Sequence, residues 1–369
     1  MAYPTLNTNE IYAAMHNQII SVMGFGDNIK GTFGELASKA KVDGSMLGDT
    51  KVYRAADVLA SNAWGNDEEA ENLLKTYRNK NIQEQEITLD VFRQICLTTD
   101  EYMSKRAWSE EGAFSSFNGI LKSLMGETKK IYDATTYNCY IGTAETTLGE
   151  QDVDIDVTSA VGSTTGEEAA RLKAGKIGED IAKLITKLKD ATRDYNDYGY
   201  MRSYDVDNDL MFIFNSDLLA EIQKRDLPTV FHKDFIDKLG EYSLPAKYFG
   251  TVNTTQKTGD GTVRAIEEMT LKKEVGTNPD GTKKYETKHV FGGELIPSTY
   301  TVDAYKSYTP NANILCKVIH KKSVPFMSGF EVGTSFYNPK ALLETNYLTW
   351  GHNTLQYLKN YPFITVKIK

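Results

Sequence analysis

Between Ile82 and Ile141 the sequence first alternates and then turns helical, and few folds satisfy both demands over such lengths. Ile87, Leu89, Val91, Ile95 and Leu97 recur at spacings of two, with Glu86, Thr88, Asp90 and Gln94 between them, and only Arg93 interrupts the apolar set. A period of two over roughly sixteen residues predicts one long strand with a single buried face. Thr98, Thr99 and Asp100 end it, their side chains suited to capping a short helix that holds Tyr102 and Met103. Ser109, Glu110 and Glu111 then open a second helix, with the acidic pair at the positive end of its dipole. Phe114, Phe117, Leu121, Leu124, Ile131 and Tyr132 follow at helical spacing, and no proline occurs between Pro4 and Pro228. The pattern predicts a helix over 112–141, about 45 Å long at 1.5 Å per residue, which is a spine for an elongated body. Gly119 and Gly126 each weaken it by about 1 kcal/mol relative to alanine, so packing must offset them.

Elsewhere the elements are shorter. Residues 1–24 read as an arm with one helix, capped by Asn7 or Thr8, striped by Ile11, Met15, Ile19 and Val22, and stopped by Gly24. From Phe25 to Trp64 glycine is dense, and the stretch reads as an extended hairpin without a core of its own. Its GFGDNIKG lacks both the glycine spacing and the preceding buried strand of a phosphate loop. Asp67 to Lys80 reads as a short amphipathic helix. Asp152, Asp154 and Asp156 imitate a calcium loop, but Val157 and Ser163 stand where a glycine and a glutamate are needed. The better reading is a strand with Val153, Ile155 and Val157 inward. Asp205, Asp207 and Asp209 fail the same test at Leu210.

Thr165 to Glu168 spells a capping box before a helix with Ile177, Ile181, Leu184, Ile185 and Leu188 on one stripe. The continuous apolar run Leu210 to Phe214 predicts a strand covered on both faces, and Asn215-Ser216-Asp217 a cap for the next helix. Another short helix is expected over His232 to Leu239. Residues 250–300 read as a long, polar, exposed hairpin. Beyond Asn313 the chain is expected to be strand-rich, over ILCKVIH, GFEVGTSFYNP, LLETNYLTWGHNTLQYL and FITVKIK.

Little in the sequence points to chemistry. The five histidines, His16, His232, His289, His320 and His352, show no metal-ligand spacing, and no GxSxG or Walker loop occurs. Three cysteines, Cys96, Cys139 and Cys316, suit small buried positions in a reducing compartment. No catalytic, cofactor or metal residue is proposed, and no cofactor. A net charge of −8 weighs against phosphate neutralisation, yet it does not forbid a container for nucleic acid. The longest apolar run has five residues against about 20 for a membrane span. The start MAYPTLNTNE lacks the basic and apolar parts of a secretion signal.

The run LTTDEYMSKRAWSEEGAFSSFNGILKSLMGETKKIYD, with ITLDVF before it and YNCYIG after it, resembles the major capsid proteins of tailed double-stranded DNA bacteriophages. That family shares the Hong Kong 97 fold, an α+β class, and the looser resemblance extends over nearly the whole chain. It implies an N-terminal arm at 1–24, an E-loop with a flanking helix at 25–98, and a P domain with its spine helix at 99–145. An A domain would follow at 146–312, with an inserted hairpin at 250–300, and 313–369 would return to the P domain. The implied role is structural and not enzymatic: hexamers and pentamers of an icosahedral head around packaged DNA. The implied partners are further copies, a scaffolding protein, a portal and decoration proteins, with assembly in the host cytoplasm and no membrane. An E-loop ribbon is too thin to be stable alone, so an adjacent subunit is its expected support. Some relatives cross-link a lysine to an asparagine, and Lys30, Lys39, Lys41 and Lys51 lie in the loop, though nothing marks one as reactive. Two other readings stay open, an encapsulin-like shell of the same fold around cargo proteins and a soluble small-ligand enzyme.

Overall fold

The structure, a computed structural model, describes residues 34–44, 48–61, 78–79, 81–100, 111–223, 242–277 and 282–369. The helices expected over 7–24, 102–103 and 232–239 lie outside these residues, as does the one expected over 67–80 apart from residues 78–79.

Helix α1 (Glu35–Lys39) and strands β1 (Lys41–Gly44) and β2 (Thr50–Ala56) precede the long strand β3 (Ile82–Asp100). β3 has the predicted period: Ile87 and Leu89 are buried, odd positions from Val91 to Thr99 are half-buried, and the even ones between them are exposed. Arg93 does not break this pattern. It points inward and is satisfied there. The spine helix α2 (Glu111–Thr143) has 33 residues, about 50 Å of helix. Its polar neighbour β4 (Asp152–Ile155) has Ile155 buried and its aspartates outward, where Lys367 and Lys369 pair with Asp152 and Asp154.

After a single turn, α3 (Thr158–Val161), comes α4 (Gly166–Lys189), whose predicted stripe Ile177, Ile181, Leu184, Ile185 and Leu188 is buried. Its capping box is not formed. Thr165 makes no side-chain cap bond, because Gly166 enters the helix at φ 76° and turns the backbone away from the box geometry. β5 (Leu210–Asn215) is wholly buried, and Asn215 accepts the Asp217 N–H to cap α5 (Ser216–Gln223). β6 (Tyr242–Leu244) follows.

The 250–300 stretch is more than a polar hairpin. β7 (Gly250–Val252), β8 (Lys257–Thr258) and β9 (Arg264–Ala265) precede the exposed hairpin of β10 (Met269–Thr277) and β11 (Lys283–Val290), and β12 (Thr301–Val302) and β13 (Ser307–Pro310) follow it. Val263, Ala265, Leu271, Val290, Ile296, Tyr300 and Val302 give this unit its own small core. Strands of two or three residues have no legible period, which is why only the central hairpin stood out. The four closing strands are β14 (Ile314–His320), β15 (Phe326–Asn338), β16 (Leu343–Asn353) and β17 (Phe363–Ile368).

Two five-stranded sheets organise the molecule. The first has the order β1-β15-β16-β3-β2 and lies against α2, where Met125 and Tyr132 meet Leu348 and Trp350. The second has the order β4-β17-β14-β5-β6. Because side chains alternate along a strand, Phe212, Phe214, Val318, Ile364 and Val366 face α4. Met211, Ile213, Ile319 and Phe363 face the end of α2, with Tyr137, Cys139 and Ile141. The sheet is thus covered on both sides. β14 pairs with both β5 and β17, so this sheet draws strands from both sides of residue 312. Nor is the glycine-rich stretch coreless throughout: Leu36, Ala37 and Ala40 are buried in the layer that holds Tyr137. Two such positions in a five-residue helix and a third at its C-cap carry too short a pattern to announce that docking.

At Gly142 α2 passes close against the backbone of Tyr248. A Cβ there would lie 2.1 Å from the Tyr248 carbonyl oxygen. Alanine favours a helix by about 1 kcal/mol over glycine, but overlap with fixed backbone reverses the sign. Gly142→Ala is expected to destabilise the chain by about 1–3 kcal/mol in chemical denaturation.

Candidate assembly surfaces

No cluster of three or more His, Cys, Asp or Glu side chains among the described residues is arranged to hold a metal ion. Between α4, α5 and β17 lies a cavity of about 160 Å³, lined by Ala170, Ala174, Ile177, Leu218 and Ile222, with Lys173 its one charged group. That is smaller than a typical ligand site of at least about 300 Å³ and lacks convergent polar groups.

The histidines that are described serve the fold. His352 is buried, and its Nδ1–H donates to the Asn353 carbonyl at 2.9 Å. Its Nε2 therefore accepts from the Tyr132 hydroxyl at 2.7 Å, and that hydroxyl accepts from Arg93 Nε at 3.2 Å. A second Arg93 bond, 3.2 Å to the Glu268 carbonyl, ties β3 and α2 to the foot of the β10–β11 hairpin. Burial pushes His352 below the usual histidine range, in keeping with the neutral tautomer. His320 stacks on Tyr361 at 4.2 Å between ring centres, and burial lowers it to about 4. His289 pairs with Glu268 at 3.0 Å, and His16 and His232 lie outside the described residues. Cys139 and Cys316 are buried, with Cys139 pushed up to about 12 by desolvation. Cys96 departs from expectation. It is exposed, because it occupies an even position of β3, on the outer face with Phe92 and Gln94.

Two buried amines were not singled out by their sequence context. Lys129 of α2 pairs with Asp133 at 2.9 Å and with Glu331 of β15 at 3.6 Å, an ion pair joining helix to sheet. Lys317 of β14 is fully enclosed. Its Nζ donates to the Ala144 carbonyl at 2.8 Å, just past the negative end of α2, and to Thr365 Oγ1 at 2.7 Å. Desolvation lowers it to about 7. Of the loop lysines, Lys39 lies over the Tyr242 ring and bonds its hydroxyl, Lys51 donates to the Asp43 carbonyl, Lys41 is exposed, and Lys30 is outside the described residues.

What the described residues do offer is surface for other protein. β2 and the first part of β3 form a two-stranded ribbon, Thr50↔Thr88 to Ala56↔Ile82. It leaves Val52, Val58, Leu59 and Ile82 exposed, Leu59 to 77%. The ribbon's support was expected from a neighbour, but part of it comes from this chain. Arg202 donates to the Ala56 carbonyl at 2.6 Å, Tyr200 to the Asn81 carbonyl at 2.7 Å, and Arg193 pairs with Asp57 at 2.6 Å. Gln85 bonds both the Tyr357 carbonyl and the Lys359 N–H. These contacts are polar, and Ile87 and Tyr53 of the ribbon also pack with Met327, Leu358 and Tyr361, which leaves Val52 and Ile82 exposed.

No family model matches the sequence, and no curated protein matches it. In three dimensions the chain is similar to one in the capsid structure of Staphylococcus phage Andhra, with a TM-score of 0.56 and 10% identity, covering 89% of this chain and 83% of that one. A chain in the structure of the head fiber and inner core protein gp22 of native bacteriophage P68 is also similar, with a TM-score of 0.56, 9% identity and the same coverage of 89% and 83%. At such identities the likeness is one of architecture, and it spans nearly the full length of the chain. The chain has the fold of phage capsid structures.

Proposed function

We propose that the chain is the major capsid subunit of a tailed double-stranded DNA phage, forming the hexamers and pentamers of an icosahedral head around packaged DNA. The likeness to the Andhra phage capsid structure over 89% of the chain carries this reading. In it, residues 1–24 are an arm, 25–98 the E-loop, 99–145 with α2 the P-domain spine, 146–312 the A domain, and 313–369 the return to the P domain. The exposed apolar side chains of the ribbon support it, since each 100 Å² buried against a neighbour is worth about 2.5 kcal/mol before association costs. Many such contacts sum to a durable shell. The net charge of −8 suits a wall that encloses DNA without sequence-specific contact. Scaffolding, portal and decoration proteins are the partners this role implies, with assembly in the host cytoplasm and a final place in the virion. The role requires no catalysis and no cofactor.

Negative-stain microscopy and size analysis of the purified chain, alone and coexpressed with its scaffold, test the proposal. Closed shells, tubes or five- and six-fold rings are expected. A monomer of 41.3 kDa under every condition would overturn it.

A further inference from the structure

β15 is paired on both sides only at its start. β1 accompanies it from Phe326 to Gly329, Gly44 being the last described residue of that pairing, while β16 stays with it on the other side to Asn338. Beyond Gly329, no described strand lies along that second edge. Here the sequence reads VGTSFYN over 332–338, with Phe336 exposed to 61% and Val332 to 39%.

An open edge rich in β-branched and aromatic residues templates further strands, and proteins ordinarily guard such edges with charge or proline. Several other edges of this chain carry such a guard. β1 carries Lys41 and Asp43, β2 carries Lys51 and Arg54, β4 carries Asp152 and Asp154, and the protruding hairpin carries Lys272 and Lys284. Residues 332–338 carry no charge, and Pro339 comes only after them. The sheet face beside them is neutral too. Gln94, Cys96 and Thr98 of β3 and Thr345, Tyr347 and Thr349 of β16 lie across from Val332, Thr334 and Phe336. Such a surface has nothing with which to attract nucleic acid or an acidic segment.

We infer that residues 332–338 of β15 pair antiparallel with the same residues of a second copy, joining two first sheets across a two-fold axis. The strand is self-complementary about Ser335. In that register Thr334 faces Phe336 of the second copy and Val332 faces Asn338, all on the exposed face. Gly333 faces Tyr337 on the face toward α2, where an aromatic ring covers the bare glycine. The pairing gives partners to N–H and C=O groups that no described strand meets along this edge, and the neutral face continues from one copy to the next. It adds a specific contact to the proposed shell, but it does not depend on a shell closing.

The full chain with Cys96→Ser and Ser335→Cys, gently oxidised, reads the register directly. Ser335 meets its own copy at the axis, where cross-strand Cβ atoms about 4–5 Å apart can form a disulfide. Asn338→Cys in the same background would stand roughly 20 Å from its copy, six residues at about 3.4 Å each. The expected result is a reducible pair of roughly twice the 41.3 kDa chain mass, at least about fivefold more abundant for Ser335→Cys than for Asn338→Cys. Thr334→Lys, which gives this edge the kind of guard found on β1, β2 and β4, is expected to cut that cross-linking about tenfold with its melting temperature unchanged. No cross-link at Ser335→Cys, equal cross-linking at both positions, or indifference to Thr334→Lys would each overturn the inference. The gel registers a soluble pair as readily as a shell, so failure to form particles is told apart from failure of this contact.

Discussion

Replacing Lys317 with methionine is expected to stabilise the chain near pH 7 relative to pH 9, although the lysine makes two good hydrogen bonds. Lys317 is enclosed between β14, β17 and the end of α2, and desolvation lowers it to about 7. Asp152 and Glu145 pull in the opposite direction and do not compensate, while Lys367 adds to the lowering. In the unfolded chain the amine keeps its proton up to its ordinary value of 10.5. Between about pH 7 and pH 9 the unfolded state therefore binds more protons than the native one, and native stability rises with pH. One pKa unit corresponds to about 1.4 kcal/mol, so this single group contributes a rise of roughly 2 kcal/mol over the window. Methionine, similar in length and uncharged, removes the slope. Urea titrations of both proteins at pH 7, 8 and 9 should show the advantage of the variant falling as pH rises. Parallel pH profiles for the two proteins would show that Lys317 does not titrate in this range.

Trp350→Ala is expected to cost about 3–5 kcal/mol, one of the largest single losses in the molecule. Trp350 is 2% exposed and meets the Tyr132 ring edge-on at 5.6 Å, where the first sheet lies on the spine helix. Its cluster is small, with Met125, Tyr132 and Leu348 as the other buried members, so little else can close the void. Trp350→Phe makes the sharper comparison. The indole Nε1 is buried without a hydrogen-bond partner, so phenylalanine removes a group that contributes nothing and should cost only about 1 kcal/mol. A cost for phenylalanine close to that for alanine would mean that the indole N–H carries a bond in the folded protein.

The elements that could be read from the sequence are those whose partners impose a period. β3, α2 and α4 repeat every two or 3.6 residues over enough length to show it, and β5 stands out as an unbroken apolar run. Three kinds of residue escaped. Arg93 and Lys317 look outward by composition, yet the register turns them inward, where Tyr132, Glu268, Ala144 and Thr365 supply partners from distant parts of the chain. Leu36 and Ala37 belong to a helix too short for periodicity, and the strands around the β10–β11 hairpin are shorter still. Cys96 was assigned inside by residue type, but its even place on β3 puts it outside. The assembly surfaces were legible only in part. The ribbon was visible as a thin element in need of support, whereas the open edge of β15 depends on where β1 stops, and that is a tertiary fact.

The pairing of β4 with β17 joins Asp152 to Thr365, and that of β3 with β16 joins Leu89 to Asn353. Both main sheets are thus closed by strands made more than half a chain apart. Such long loops must be ordered before their contacts form, which places folding among the slow, high-contact-order cases. During translation β3 and β4 would wait, unpaired, for partners still to be synthesised, with their edges open to other chains. Chaperones acting at that stage would govern how many chains reach the native state, and the yield of native protein would follow the speed of folding.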